Sequence, residues 1–314
     1  MARKSARTKP SISIVGPGNL GSALAIELAR AGYPIHQIVR RATSKITGPK
    51  ALARRVKAEL VIVGECPLDS DIVWITVPDD AIADVARQLA DAQDWKGKTV
   101  FHSSGALTTD ELSPVWEKGA EVASVHPMMT FVAGKKPSWR GIAFAVEGDE
   151  EAVRLGSLIA ADLGGRPFEI DKRNKVLYHA FGAFASPLVI ALMSAMEQVA
   201  AAAGIPREKA KEIMQPLLAE TLNNYVRTDA PSAFSGPLVR GDVHTVRKHL
   251  TALKRAPEAR EVYHALALAA IKHLPVKNRG ALEKELTAHH VEVRRGSSPR
   301  KRKQVSRATK RRSE

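Results

Sequence analysis

The chain has 314 residues, 44% of them hydrophobic, enough for two domains with sizeable cores. Its net charge of +15 suggests a nucleic-acid binder at first, but residues 1–10 carry four basic residues and no acid, and residues 294–314 carry ten against the lone Glu314. The body between them is therefore nearly neutral. The single cysteine, Cys66, excludes an internal disulfide and a cysteine-built metal site, and no histidine–carboxylate spacing suggests a metal.

From the N-terminus, a basic arm over residues 1–9 precedes a short β-branched run at residues 11–15 that feeds into Gly16-Pro17-Gly18-Asn19-Leu20-Gly21. A helical pattern follows, closed by Gly32. This is the strand–turn–helix setting of the glycine fingerprint for dinucleotides. Gly16 permits the tight turn, Gly18 leaves room for a pyrophosphate, and Gly21 lets helix and strand pack closely, while Asn19 and Leu20 bring free amides to the helix start. A second strand at residues 35–39 ends without the acidic residue that would hold the ribose hydroxyls of NAD. Arg40, Arg41 and Ser44 stand there instead, which suits the 2′-phosphate of NADP; the other reading is solvated loop charge.

Further strands are expected at residues 58–63, 71–77, 98–102, 121–125, 142–146 and 167–170, with helices at 80–92, capped by Asp80, and 150–163. Their continuous apolar runs predict a doubly wound parallel sheet covered on both faces, an NADP-binding domain over residues 10–171. Strand signals then stop. Residues 172–292 read as an all-helical domain with a long apolar helix at 175–203 kinked at Pro187, helices at 206–226 with a kink at Pro216, 242–254 capped by Asp242, 257–273 and 278–289, and a loop at 227–241. The long helix is apolar around most of its circumference, which predicts a homodimer through this domain. Its uncharged run falls just short of a membrane span and is read as buried, and residues 1–10 hold no apolar signal segment. A soluble cytoplasmic protein is expected. A basic tail over residues 293–314 is too poor in apolar residues to fold; it either contacts nucleic acid or an acidic partner weakly or stays solvated.

Five segments offer chemistry. Val77-Pro78-Asp79 follows a strand where a dinucleotide lies. Ser103 and Ser104 follow another and either hold a substrate carboxylate or cap a turn. His126 ends a strand before Pro127; with an ordinary pKa near 6.5 it suits the proton that accompanies hydride transfer. Lys175 and His179, at i and i+4, share a helix face with Tyr178 between them, and the lysine suits a carbonyl-polarising acid. Arg240, before Gly241, either reaches an anionic substrate or belongs to a turn capping the helix at Asp242.

Together, His102-Ser103-Ser104-Gly105, His126-Pro127-Met128, Tyr178-His179-Ala180 with Ser186, and Gly236-Pro-Leu-Val-Arg-Gly-Asp242 resemble the bacterial Rossmann-like proteins with a helical C-terminal domain of unknown function, number 2520. The resemblance covers residues 9–275. It implies NADP binding, a fold like that of the 6-phosphogluconate and β-hydroxyacid dehydrogenases, and kinship with pyrroline-5-carboxylate reductase and deazaflavin-dependent NADP reductases. His126-Pro127-Met128 is also similar to the His-Pro-Met segment of prephenate dehydrogenases, and Lys175 lies near where β-hydroxyacid dehydrogenases place a catalytic lysine, though His179 replaces their asparagine.

The resulting expectation is an NADP-dependent oxidoreductase acting on a small carbonyl, imine or hydroxy-acid substrate, with His126, Lys175 and His179 catalytic and Ser103, Ser104, Tyr178 and Arg240 against the substrate. The alternatives are a non-catalytic NADP sensor whose basic tail contacts a partner, and electron transfer between NADP and a flavin or deazaflavin.

Overall fold

The computed structural model of the chain describes residues 9–131 and 138–296, with side chains described up to residue 288. Two compact units divide at Ser186 and Pro187, later than the boundary expected at 171. The first holds strands β1 (Ile12–Val15), β2 (Ile35–Arg40), β3 (Glu59–Ile62), β4 (Ile72–Ile75), β5 (Thr99–His102), β6 (Glu121–Pro127), β7 (Ala143–Gly148) and β8 (Arg166–Glu169). They form one sheet in the order β3-β2-β1-β4-β5-β6-β7-β8. Its helices are α1 (Asn19–Arg30), α2 (Thr47–Val56), α3 (Ile82–Ala90), α4 (Ser113–Trp116), α5 (Glu150–Asp162) and α6 (Lys175–Ala185).

Side chains of the central strands alternate between two cores. Ile12 and Ile14 join Trp74 and Phe101 against Leu24 and Leu28 of α1, whereas Val15 joins Val73, Ile75 and Val100 against Val85 and Leu89 of α3. Burial on both faces explains the continuous apolar strands. Neighbouring strands are parallel except β6 and β7, so the sheet is mixed, not wholly parallel as expected. The chain order reverses at β1, with β2 on one side and β4 on the other, which is the switch point where open α/β sheets take their ligands.

Local differences have local causes. The basic helix α2 has no counterpart among the expected elements; only Leu52, Ala53 and Val56 of it are buried, a stripe too narrow to read. Asp80 does not cap α3, because residues 79–81 form a separate turn before it. Lys9 belongs to the folded unit, not to a basic arm: its ammonium bonds the Ala31 carbonyl and Asp162. The expected arm over residues 1–8 and tail over 297–314 lie outside the described residues.

The second unit holds α7 (Pro187–Ala202), α8 (Arg207–Arg227), α9 (Ala230–Ala233), α10 (Pro237–Arg240), α11 (Val243–Ala252), α12 (Pro257–His273) and α13 (Arg279–Gly296). The expected long helix is thus two, interrupted at Ser186 before a proline that cannot continue the backbone hydrogen bonding. Helix α8 instead continues through Pro216, α9 and α10 occupy the expected loop, and α13 takes in residues 293–296, assigned above to the tail. Val246, Leu250, Ala267, Ile271, Leu282 and Leu286 form this unit's core. By length and composition alone, residues 172–202 are apolar enough to cross a membrane, and they are largely exposed, not buried as expected.

Candidate active site

The expected turns gather at the carboxyl ends of adjacent parallel strands. Gly16 follows β1, Thr76 to Asp79 follow β4, Ser103 to Gly105 follow β5, and His126 lies near the end of β6. Two of the three glycines answer to the protein's own packing. Gly16 has φ +92°, and a Cβ there would lie 2.6 Å from Val77. A Cβ on Gly21 would lie 2.3 Å from the Gly16 carbonyl and 2.4 Å from the Thr76 hydroxyl, which itself donates to Val15 and Gly16. Gly18 differs: nothing lies within 4 Å of a Cβ placed on it. Asn19 is exposed and donates to the Phe131 carbonyl, Leu20 packs against the sheet core, and Pro78 and Asp79 are exposed beside half-buried Val77.

At the end of β2, Arg40 turns back on its own loop. Its Nη1 donates to the carbonyls of Arg41, Ala42 and Ser44, and its buried Nε has no partner. Ser44 donates to the Arg41 carbonyl at 2.7 Å. Arg40 and Ser44 therefore shape the loop, and Arg41 and Lys45 are its exposed cations, Arg41 nearer the end of β2.

The two serines after β5 are also committed internally. Ser103 accepts from the Trp74 indole at 2.8 Å. Ser104 donates to Asp79 at 2.8 Å and accepts from the amides of Ala106 and Leu107, so the turn-capping reading accounts for it. Buried His102 braces the same turn, accepting from the Ser104 amide on Nδ1 and donating through Nε2 to Thr108. Burial pushes its pKa down to about 3, with the Lys175 charge acting in the same direction.

His126 is the centre of the arrangement. Its Nδ1 lies 2.9 Å from the Tyr178 hydroxyl. Where that hydroxyl donates to Nδ1, the ring carries its own proton on Nε2. Nε2 faces Gly105, where a Cβ would come within 2.8 Å of it and within 2.7 Å of the His179 ring. Burial, then the charges of Lys175 and His179, hold the His126 pKa at about 4, well below the ordinary value expected from sequence. The ring is thus neutral near pH 7 and offers a hydrogen-bond donor. Burial raises the Tyr178 pKa to about 12, which keeps its hydroxyl protonated.

Helix α6 presents Lys175, Tyr178 and Gly182 to the sheet, with Gly182 lying close to Met128; His179, at the edge of that face, stays exposed. Lys175 is only 1% exposed. Its ammonium bonds Ser124 Oγ, the Ser104 carbonyl at 3.2 Å and Glu147 at 3.4 Å. Sequence reasoning missed Glu147, which looks like one more polar position at a strand end. Arg240 lies in the second unit, exposed at the end of α10, in a turn whose Asp242 caps α11 through the Thr245 amide at 2.9 Å.

The fold and this cluster define a Rossmann-like protein with a glycine turn at its switch point and a histidine-centred polar cluster beside it. Residues 3–127 match the model of a Rossmann-like domain, and residues 142–270 match that of a domain of unknown function, DUF2520. No curated protein matches it by sequence. Among solved structures, BF3122 from Bacteroides fragilis is 22% identical with a TM-score of 0.69, over 83% of this chain and 98% of that one. An imine reductase from a Pseudomonas species is 23% identical with a TM-score of 0.61, over 88% and 99%. The imine reductase from Myxococcus stipitatus in complex with NADP+ is 18% identical with a TM-score of 0.63, over 90% and 100%. At these identities the likeness is one of fold.

Proposed function

We propose that the chain is an NADP-dependent oxidoreductase that moves a hydride to or from a small carbonyl, imine or hydroxy-acid substrate. Gly18 carries the reading. Packing accounts for Gly16 and Gly21, but the space over Gly18 is open to the exterior of the turn. A ligand that approaches the backbone there accounts for the third glycine. The first amides of α1 lack intrahelical acceptors, and the helix dipole favours an anion at the same place, which suits a pyrophosphate. That the Myxococcus stipitatus imine reductase shares the fold and is in complex with NADP+ supports the same cofactor. When bound, the nicotinamide would supply or accept the hydride. The neutral His126 ring would hold the substrate oxygen or nitrogen through Nε2–H, with Tyr178 fixing the ring, and exposed His179 would exchange the proton with solvent.

Arg41 takes the 2′-phosphate role in this reading, with Arg40 shaping its loop. A paired titration of NADPH and NADH tests both statements. NADPH should bind more tightly than NADH. Arg41→Ala should weaken NADPH roughly tenfold to a hundredfold, the worth of a charge-assisted hydrogen bond, and leave NADH nearly unchanged. No binding of NADPH or of NADH to the native chain would reject the oxidoreductase reading.

A homodimer is part of the same proposal. In the first unit, Val176, Leu177, Phe181 and Phe184 of α6 are two-thirds exposed or more. In the second, Leu217, Leu222 and Val226 of α8 are also exposed, beside an apolar cavity of about 700 Å³ lined by Met196, Met214, Phe234 and Leu266 among others. Large apolar side chains left exposed along a single helix mark an interaction surface. Light scattering should give twice the chain mass; a detergent-free monomer at micromolar concentration would reject the dimer.

A further inference from the structure

Lys175 is an unusual candidate for a proton donor. Its ammonium has three protons, and three acceptors surround it: Ser124 Oγ, the Ser104 carbonyl and Glu147. Glu147 is itself 4% exposed and accepts from the amide and hydroxyl of Thr109, at 2.9 and 3.0 Å. Ser124 pairs with Glu147 across β6 and β7 and donates to the Ser104 carbonyl at 3.2 Å. Every polar group in this buried cluster is matched by another, and the ammonium has no remaining proton to direct at a substrate.

The place of the cluster is as informative as its closure. Lys175 is the first residue of α6, and Tyr178 lies one helical turn further on. The lysine therefore fastens the start of α6 to β5, β6 and β7 at once. Tyr178 is then held against His126 Nδ1, and the Ser104 carbonyl is held where Gly105 lies beneath His126 Nε2. A buried ion pair adds little net stability compared with apolar side chains of equal volume, but it fixes geometry.

We propose that Lys175 and Glu147 are positioning residues: their buried pair anchors α6 so that Tyr178 keeps the His126 ring in one tautomer and one orientation over Gly105. The proposal deepens the reading of this cluster as the reacting site, but its test needs no cofactor. The full chain is labelled with 15N-histidine, and His126 is assigned by the signals lost in His126→Asn. In the native chain the two ring nitrogens of His126 should give widely separated shifts, the mark of a single Nε2–H tautomer. In the double variant Lys175→Met/Glu147→Gln, which removes both buried charges together, the two shifts should converge as the ring samples both tautomers.

Tryptophan fluorescence establishes that the variant is folded. A folded double variant that keeps the native separation overturns the proposal. If the double variant does not fold, Glu147→Gln serves instead, since it keeps the side-chain shape beside Thr109 and removes the charge that holds the Lys175 ammonium. Partial convergence supports the proposal, and native shifts overturn it. The NADPH titration of the native chain decides the cofactor reading separately, so failure of one leaves the other standing.

Discussion

Between pH 6.5 and pH 4 the first unit should lose several kilocalories per mole of stability. His126 and His102 are held neutral, with pKa values of about 4 and about 3 in the folded chain. Unfolded, both return to about 6.5. In the interval between these values the unfolded chain binds more protons than the folded one, so stability rises with pH; it is complete above about 6.5 and is lost as pH falls toward the folded values. His126 alone accounts for roughly 3 kcal/mol over that interval, and His102 has the wider interval. The carboxylates of this unit with lowered pKa values, Asp71, Asp110, Glu151, Asp162 and Asp171, also lose stability on acidification, but chiefly below their ordinary values of 3.8 to 4.5. The histidine effect is therefore separable. All four tryptophans belong to the first unit, so urea unfolding followed by their fluorescence reports on it alone. The midpoint should be much lower at pH 4.5 than at pH 7, and His126→Asn should reduce the difference. Equal midpoints at the two pH values would mean that the rings protonate in place, and the burial account would fail.

The same burial shows why the site was only half legible in the sequence. The glycine turn, the strand ends and His126 were readable because each is tied to local chain geometry: a positive φ at Gly16, a β-branched run, a proline after the histidine. The eight-stranded sheet followed from apolar runs, except for the antiparallel direction of β7, which an apolar run does not carry. Roles were harder to read than positions. Ser104 and Arg40 have the right chemistry for ligands, yet their polar groups serve neighbouring backbone, a choice settled by hydrogen-bond partners only one to four residues away. Glu147 was invisible for the opposite reason. Its partners, Thr109 and Lys175, are brought to it by the sheet, and nothing near it in sequence announces them. The pKa of His126 depends likewise on Lys175 and on burial, neither of which a motif carries.

Alanine at Gly18 and at Gly21 should produce opposite kinds of damage, and the contrast tests whether the turn holds a ligand. At Gly21 the added methyl meets the Gly16 carbonyl and the Thr76 hydroxyl, both fixed by the junction of β1 and β4. Overpacking against such a rigid wall costs about 1–3 kcal/mol, so Gly21→Ala should unfold at lower urea, with any loss of binding following from loss of structure. At Gly18 the methyl enters open space, and the backbone there, with φ −77° and ψ −159°, suits any residue. The cost to the fold should stay under about 1 kcal/mol, the scale of a poorer helix N-cap. A pyrophosphate lying against that backbone, however, would meet the methyl directly. An overpacking clash of roughly 3 kcal/mol there corresponds to about a hundredfold loss of NADPH affinity. Fluorescence titration and urea unfolding of the two variants separate the cases. If Gly18→Ala binds NADPH as the native chain does, the open space over that glycine is not a cofactor's place, and the observation that carries the proposed function is lost.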